Sequence, residues 1–192
     1  MKRLNILLLA LLTCTSAFAA QIADIDFAES INIEGTDKTA QLNGLAIRYK
    51  FIFKIYAAAL YTEQPSHSTD TLLKSNVVNR MQMHFIYNEV SKEKLVNGWL
   101  EGFEKNLSQQ QFNELKPRID QFNSLFETVH EGDNIILDYL PSLGTRVTIR
   151  DKVKGIIKGS DFNQALLKIW LGEHPVSDDM KQGLLGKSND GD

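Results

Sequence analysis

Cysteine is nearly absent: Cys14 is the only one in 192 residues. A lone thiol closes no intramolecular disulfide, so the fold must be held by its core. Basic blocks are also missing. Lysine and arginine number 21 against 24 acidic residues, a net charge of −3, which sets nucleic acid aside as a partner. Long apolar runs are missing beyond the N-terminus, where a bilayer crossing would need roughly 20 such residues, so no transmembrane segment is expected in the mature protein. The chain has no dinucleotide fingerprint, phosphate-cradling glycine loop or G-x-S-x-G element. His67, His84, His130 and His174 show no metal-ligand spacing, so neither metal nor cofactor is expected. His84, on a strand, reads as structural.

What is present begins with a leader. "MKRLNILLLALLTCTSAFAAQ" joins Lys2 and Arg3 to an apolar stretch and ends in Ala17-Phe18-Ala19, the pattern of a secretory signal peptide. Residues 1–19 are therefore read as a cleaved signal, and the protein as periplasmic or secreted. Cys14 follows Thr13 rather than a small residue, which disfavours lipid anchoring. Without Lys2 and Arg3 the balance is 19 basic to 24 acidic residues, or −5. One domain over 20–186 is expected, with its folded unit from about Phe27 to Leu185, followed by a flexible polar tail, 187–192.

Along that domain the hydrophobic period alternates between two and 3.6. Strands are predicted near Ser30–Glu34, over Leu42–Thr62 and over Arg80–Tyr87, with 63–71 as a loop. Ser91 caps a helix carrying Leu95, Trp99 and Phe103; a second helical pattern runs through Phe112, Leu115, Ile119, Phe122 and Phe126. Pro117 falls inside it and predicts a kink or a division into two. A meander follows, Ile135–Leu140, Thr145–Arg150 and Val153–Ile157, with a tight turn at Asp151-Lys152. Ser160 caps the next helix and Ser177 a short last one. This order implies an α+β protein, an antiparallel sheet with helices gathered on one face and room for a cavity between them.

The segment "RYKFIFKIYAAALY", 48–61, places cations in an apolar strand. On strict alternation Tyr49 through Tyr61 make an apolar face at the odd positions, while Arg48, Lys50, Lys54 and Tyr56 share the even one. Fourteen residues is long for a strand, so a bend or hairpin near Phe51–Phe53 is expected. Lys50 and Lys54 are read as solvated. Arg48, if helices cover it, needs an anion. Two partners are open: a ligand carboxylate, with Tyr56 donating a further hydrogen bond, or Asp138, an acid inside the apolar strand "IILDYL".

Four phrases in order, "LNGLAIRYKFIFKIYAAALY", "VSKEKLVNGWLEGF", "GDNIILDYLPSLGT" and "IIKGSDFNQALLKIWLGEHP", resemble the bacterial exported branch of the chalcone isomerase-like family. The resemblance runs from about Leu42 to Leu185. It implies an open-faced β-sandwich, a large antiparallel sheet covered on one side by helices, with a ligand cleft between them. Relatives on this scaffold either close chalcones to flavanones or bind fatty acids without catalysis. In the binders an arginine and a strand tyrosine hold the carboxylate; the matching positions are Arg48 and Tyr56, at a shorter spacing than in the plant proteins. Of the isomerase polar set, Tyr56 replaces a threonine, Val90 a tyrosine and Glu93 a lysine; Asn97 alone matches, with Tyr87 or Lys94 as substitutes in space. The resemblance therefore implies a non-catalytic binder of a small lipophilic carboxylate such as a fatty acid, at Arg48, Tyr56, Asn97 and Tyr87. The alternatives are an isomerase, an intramolecular lyase acting on an enone such as a chalcone, and a structural or partner-binding envelope protein.

Overall fold

The long strand predicted over Leu42–Thr62 is a hairpin. In the computed structural model, which describes residues 19–74 and 76–187, the chain turns at Phe51-Ile52 between β4 (Thr39–Lys50) and β5 (Phe53–Thr62). Before it come β1 (Ala19–Ile22), β2 (Ile25–Ala28) and β3 (Ser30–Asn32); after it come α1 (Thr69–Lys74), β6 (Asn79–Phe85) and a two-residue β7 (Glu89–Val90). Helices α2 (Lys92–Asn106) and α3 (Gln109–Ser124) precede β8 (Val129–His130), β9 (Asn134–Leu140), β10 (Gly144–Ile149) and β11 (Lys152–Ile157). Helices α4 (Ser160–Leu171) and α5 (Asp178–Leu184) follow. The main sheet has seven antiparallel strands in the order β11-β10-β9-β6-β5-β4-β3. The fold is thus α+β, an open-faced sheet under a helical layer.

Alternation decides which side chains enter the main core. Tyr56, Ala58 and Leu60 of β5, Met81, Met83 and Phe85 of β6, and Leu137 of β9 face the helices. There they meet Trp99 and Phe103 of α2, Phe122 of α3 and Trp170 of α4. Ser91 caps α2 by accepting from the Lys94 N–H, and Ser108 with Gln111 forms a capping box on α3. Close approach also fixes the helices. A Cβ on Gly102 of α2 would stand 2.9 Å from Ile169 of α4, and one on Gly44 of β4 would stand 2.1 Å from the Gly183 carbonyl oxygen of α5.

The opposite face is not uniformly wet. Ala57, Ala59 and Tyr61 bury there against Phe27, with Ile22 and Ile25 of the β1–β2 hairpin packed on them. Among the described residues the packed structure therefore reaches before Phe27, into a hairpin whose turn uses Ala23 and Asp24 at positive φ without a glycine to announce it. Beside this patch Asp138 of β9 lies between Arg80 of β6 and Arg146 of β10, cross-strand neighbours in register.

Other sequence expectations are corrected in detail. Pro117 lies within one continuous α3 and does not divide it. Thr69–Lys74 is a helix that begins inside the predicted loop. The tight turn is one residue earlier, at Arg150-Asp151, both at positive φ, as a two-residue hairpin turn requires. Gly159 occupies the cap position of α4 and Ser160 is its first residue. At the end of α5, Gly186 and Lys187 donate to the Gly183 and Gln182 carbonyls at 3.0 Å. The leader, apart from Ala19, and the tail beyond Lys187 lie outside the described residues.

Candidate functional site

A cleft of about 400 Å³ opens where the β4–β5 hairpin leaves the sheet and α2 crosses above it. Its volume lies within the roughly 300–1,000 Å³ of small-molecule sites. A bulge makes this geometry. Arg48 pairs with Tyr56, but Tyr49 pairs with Lys54, so Ile55 is the extra residue. One inserted residue reverses the alternation. Phe53 is thereby on the cleft side with Tyr56 and Arg48, while Lys54 is turned away with Tyr49. The cations do not all share one side, as strict alternation predicts: Arg48 and Lys50 line the cleft and Lys54 does not.

Arg48 is half-buried, and its Nη1 donates to the Tyr49 carbonyl oxygen. Among the described residues no carboxylate makes an ion pair with it. Asp138 is committed elsewhere, to Arg80 at 2.5 and 3.0 Å and to Arg146 at 2.8 Å, on the far face of the sheet. The internal partner considered from sequence is thus excluded.

Tyr56 is buried at the cleft floor, and its hydroxyl oxygen accepts a 3.1 Å hydrogen bond from Trp170 Nε1. Burial pushes its ionisation up, an effect that Trp170 and the Arg48 charge only partly offset. Tyr56 therefore remains a neutral phenol with a proton to donate. Trp99, also lining the cleft, carries a buried Nε1–H with no partner. Both groups are donors, and both suit an acceptor rather than a cation.

The walls are apolar: Phe53, Ile55, Phe85, Leu95 and Ile169 contribute, and Phe53 meets Tyr87 edge-on at 5.7 Å between ring centroids. Besides Arg48, the charged lining residues are Lys50, Glu89, Lys94, Glu101 and Lys105. Lys105 binds Glu101 at 2.6 Å, and this bond, helped by the charges of Lys50 and Arg48, holds the Glu101 carboxyl below its usual range.

Of the four residues proposed from sequence, Arg48, Tyr56 and Tyr87 line this cleft together; Asn97 is exposed on α2, outside the lining. Lys94 and Val90 line it, whereas Glu93 does not. Spacing puts Trp99 on the apolar stripe of its helix, and nothing in the sequence shows where the polar ends of Trp99 and Trp170 go. The only available signal was that a buried indole N–H usually finds a partner; which partner is a matter of contacts across 114 residues of chain.

An antiparallel sheet with helices on one face, and a lipophilic cleft between them holding one carboxylate-free arginine, defines an open-faced sandwich with a ligand-sized cavity. The chain belongs to the chalcone isomerase-like family, whose pattern matches residues 19–186. Its fold is similar to the crystal structure of a fatty-acid binding protein of Arabidopsis thaliana: TM-score 0.69 and 17% identity, over 84% of this chain and 92% of that one. At that identity the likeness is one of fold. No curated protein matches the chain in sequence. Among the described residues no helix is long and apolar enough to cross a membrane.

Proposed function

We propose that this protein binds a small lipophilic carboxylate, a fatty acid being the nearest chemical description, and does so without catalysis. The observation that carries the reading is Arg48: a guanidinium at the end of an apolar cleft with no carboxylate of its own. A bound carboxylate would complete it in bidentate fashion, the Tyr56 hydroxyl would add a hydrogen bond, and the acyl chain would lie against Phe53, Phe85 and Leu95. The fatty-acid binding fold neighbour supports the same reading. Placement in the exported bacterial branch, and hence in the periplasm or outside the cell, is part of the proposal and rests on residues 1–19 as a signal peptide.

Native mass spectrometry of the purified protein, followed by titration with medium- and long-chain fatty acids, tests the ligand. Bound acyl species, or saturable binding, are expected. Absence of both would sink the reading. Tyr87 and Lys94 do share the cleft with Arg48, which keeps an enone isomerase as the second reading. Loss of enone absorbance from added chalcones faster than in buffer alone would favour it over the first.

A further inference from the structure

The β4–β5 hairpin ends in the most exposed large hydrophobic residues of the described chain. Phe51 is 89% exposed and Ile52 84%, with Phe53 and Tyr49 about half exposed beside them. The hairpin also outruns its neighbours. On one side the β6 ladder ends at Tyr56, with Ile86 and Tyr87 beyond it donating only to the Ile55 carbonyl oxygen, and on the other β3 stops at Gln41. The three residues beyond Arg48 and Tyr56 project the tip roughly 10 Å at about 3.3 Å per residue.

The turn chemistry is unusual. Phe51 adopts φ 55°, a conformation that a two-residue hairpin turn normally gives to Gly or Asn and that is strained for a bulky residue. Here the position carries a large aromatic ring that is almost fully exposed, so burial in the fold does not account for it.

Charge surrounds the tip asymmetrically. Lys50 and Lys54 flank it, and neither has a carboxylate partner among the described ion pairs. The adjoining cleft lining carries four cations, Arg48, Lys50, Lys94 and Lys105, against Glu89 and Glu101. This is a positive locale on a chain of net charge −3. An apolar tip ringed by aromatics and lysines is the composition of an interfacial membrane anchor, whose apolar part enters the headgroup boundary by about 5–10 Å while cations meet anionic headgroups.

We infer that the Phe51-Ile52 tip docks the mouth of the cleft onto an anionic lipid bilayer. Phe51, Phe53 and Lys50 belong to the tip and to the cleft lining at once, so docking brings the opening against the lipid from which an acyl ligand would enter or into which it would leave. That last step rests on the proposed ligand; the docking itself does not.

Flotation of the full protein with vesicles of phosphatidylglycerol and phosphatidylcholine, against phosphatidylcholine alone, tests it at low and high salt. Binding is expected to the anionic vesicles only, weakened by salt. Ile52→Asp and Lys54→Glu both lie outside the cleft lining. Each is expected to lower partitioning by about tenfold or more while fatty-acid binding in solution is unchanged. Failure of the wild type to float with anionic vesicles overturns the inference, as does wild-type flotation by Ile52→Asp. It is equally overturned if the protein ignores vesicles and sediments as a dimer that Ile52→Asp dissociates, since the tip would then bind a second copy. Fatty-acid titration of the same samples separates this outcome from failure of the ligand reading.

Discussion

Arg48 and Asp138 are both charged residues set in apolar strands, and only their neighbours distinguish them. Asp138 is held by two arginines and buried, so removing it leaves two guanidinium groups facing each other. Asp138→Ala is expected to destabilise the fold by about 3 kcal/mol in urea denaturation, and replacing the whole triad with apolar residues should recover most of the loss. Arg48→Ala should behave in the opposite way. With no ion pair to lose, its stability should stay within about 0.5 kcal/mol of wild type, while fatty-acid affinity falls roughly thirtyfold, the worth of a charge-assisted hydrogen-bond pair at about 2 kcal/mol. Isothermal titration together with a denaturation curve checks both halves. Arg48→Lys should restore only part of the affinity, because an ammonium group lacks the planar fork. At the hairpin tip, Phe51→Asn relieves a positive φ at no loss of packing and should raise stability by about 1 kcal/mol, read as a higher urea midpoint at unchanged slope.

Elements were legible wherever one period ran long enough. The Met81, Met83, Phe85 alternation and the Leu95, Trp99, Phe103 spacing both became the elements they predict. Pro117 misled because local chemistry was weighed against no tertiary partner: Leu115, Ile119 and Phe122 bury on the same face on both sides of it, and that burial carries the helix through. The proline still removes one helical hydrogen bond, and it is exposed. Pro117→Ala is therefore expected to stabilise the protein by about 1–3 kcal/mol, seen as a higher midpoint of thermal unfolding. The bulge at Ile55 had no sequence signal at all. Alternation looks the same on paper whether or not a residue is inserted, yet the insertion decides that Phe53 rather than Lys54 faces the cleft.

For the molecule as a whole, titration sets the limits of stability at both ends of the pH scale. Burial pushes the Tyr61 phenol up to about 12, against a small opposing effect of Arg80, and raises Tyr56 as well. A raised value means that the folded state holds the proton more tightly. This stability is complete below the unfolded value of about 10 and is lost as pH rises through the folded values. Thermal midpoints should therefore fall above about pH 10, with the late appearance of tyrosinate absorbance tracking unfolding. At the acid end Asp161 is lowered chiefly by its hydrogen bond from Arg118, and Glu127 by its hydrogen bond from Lys154. For Asp133 burial opposes ionisation, but the His130 N–H and Arg150 outweigh it. Depressed values give stability that is present above about pH 4 and lost as pH falls through the folded values. Asp161 and Glu127 are well exposed, 61% and 40%, so their part of the acid loss should be gentle, whereas Asp133 is only 16% exposed.

Composition and period by themselves determined an α+β fold stabilised by a core rather than by disulfides, with antiparallel strands, four of the five helices among the described residues, and an arginine that would need an anion if covered. Those are local properties, set by spacings of two to four residues along the chain. Which anion remained open in the sequence, because Asp138 and a ligand satisfy the same local demand. Only the tertiary structure ruled out Asp138: register laid Arg80 and Arg146 beside it on one face of the sheet, while a single inserted residue turned Arg48, Phe53 and Tyr56 together into a cleft on the other.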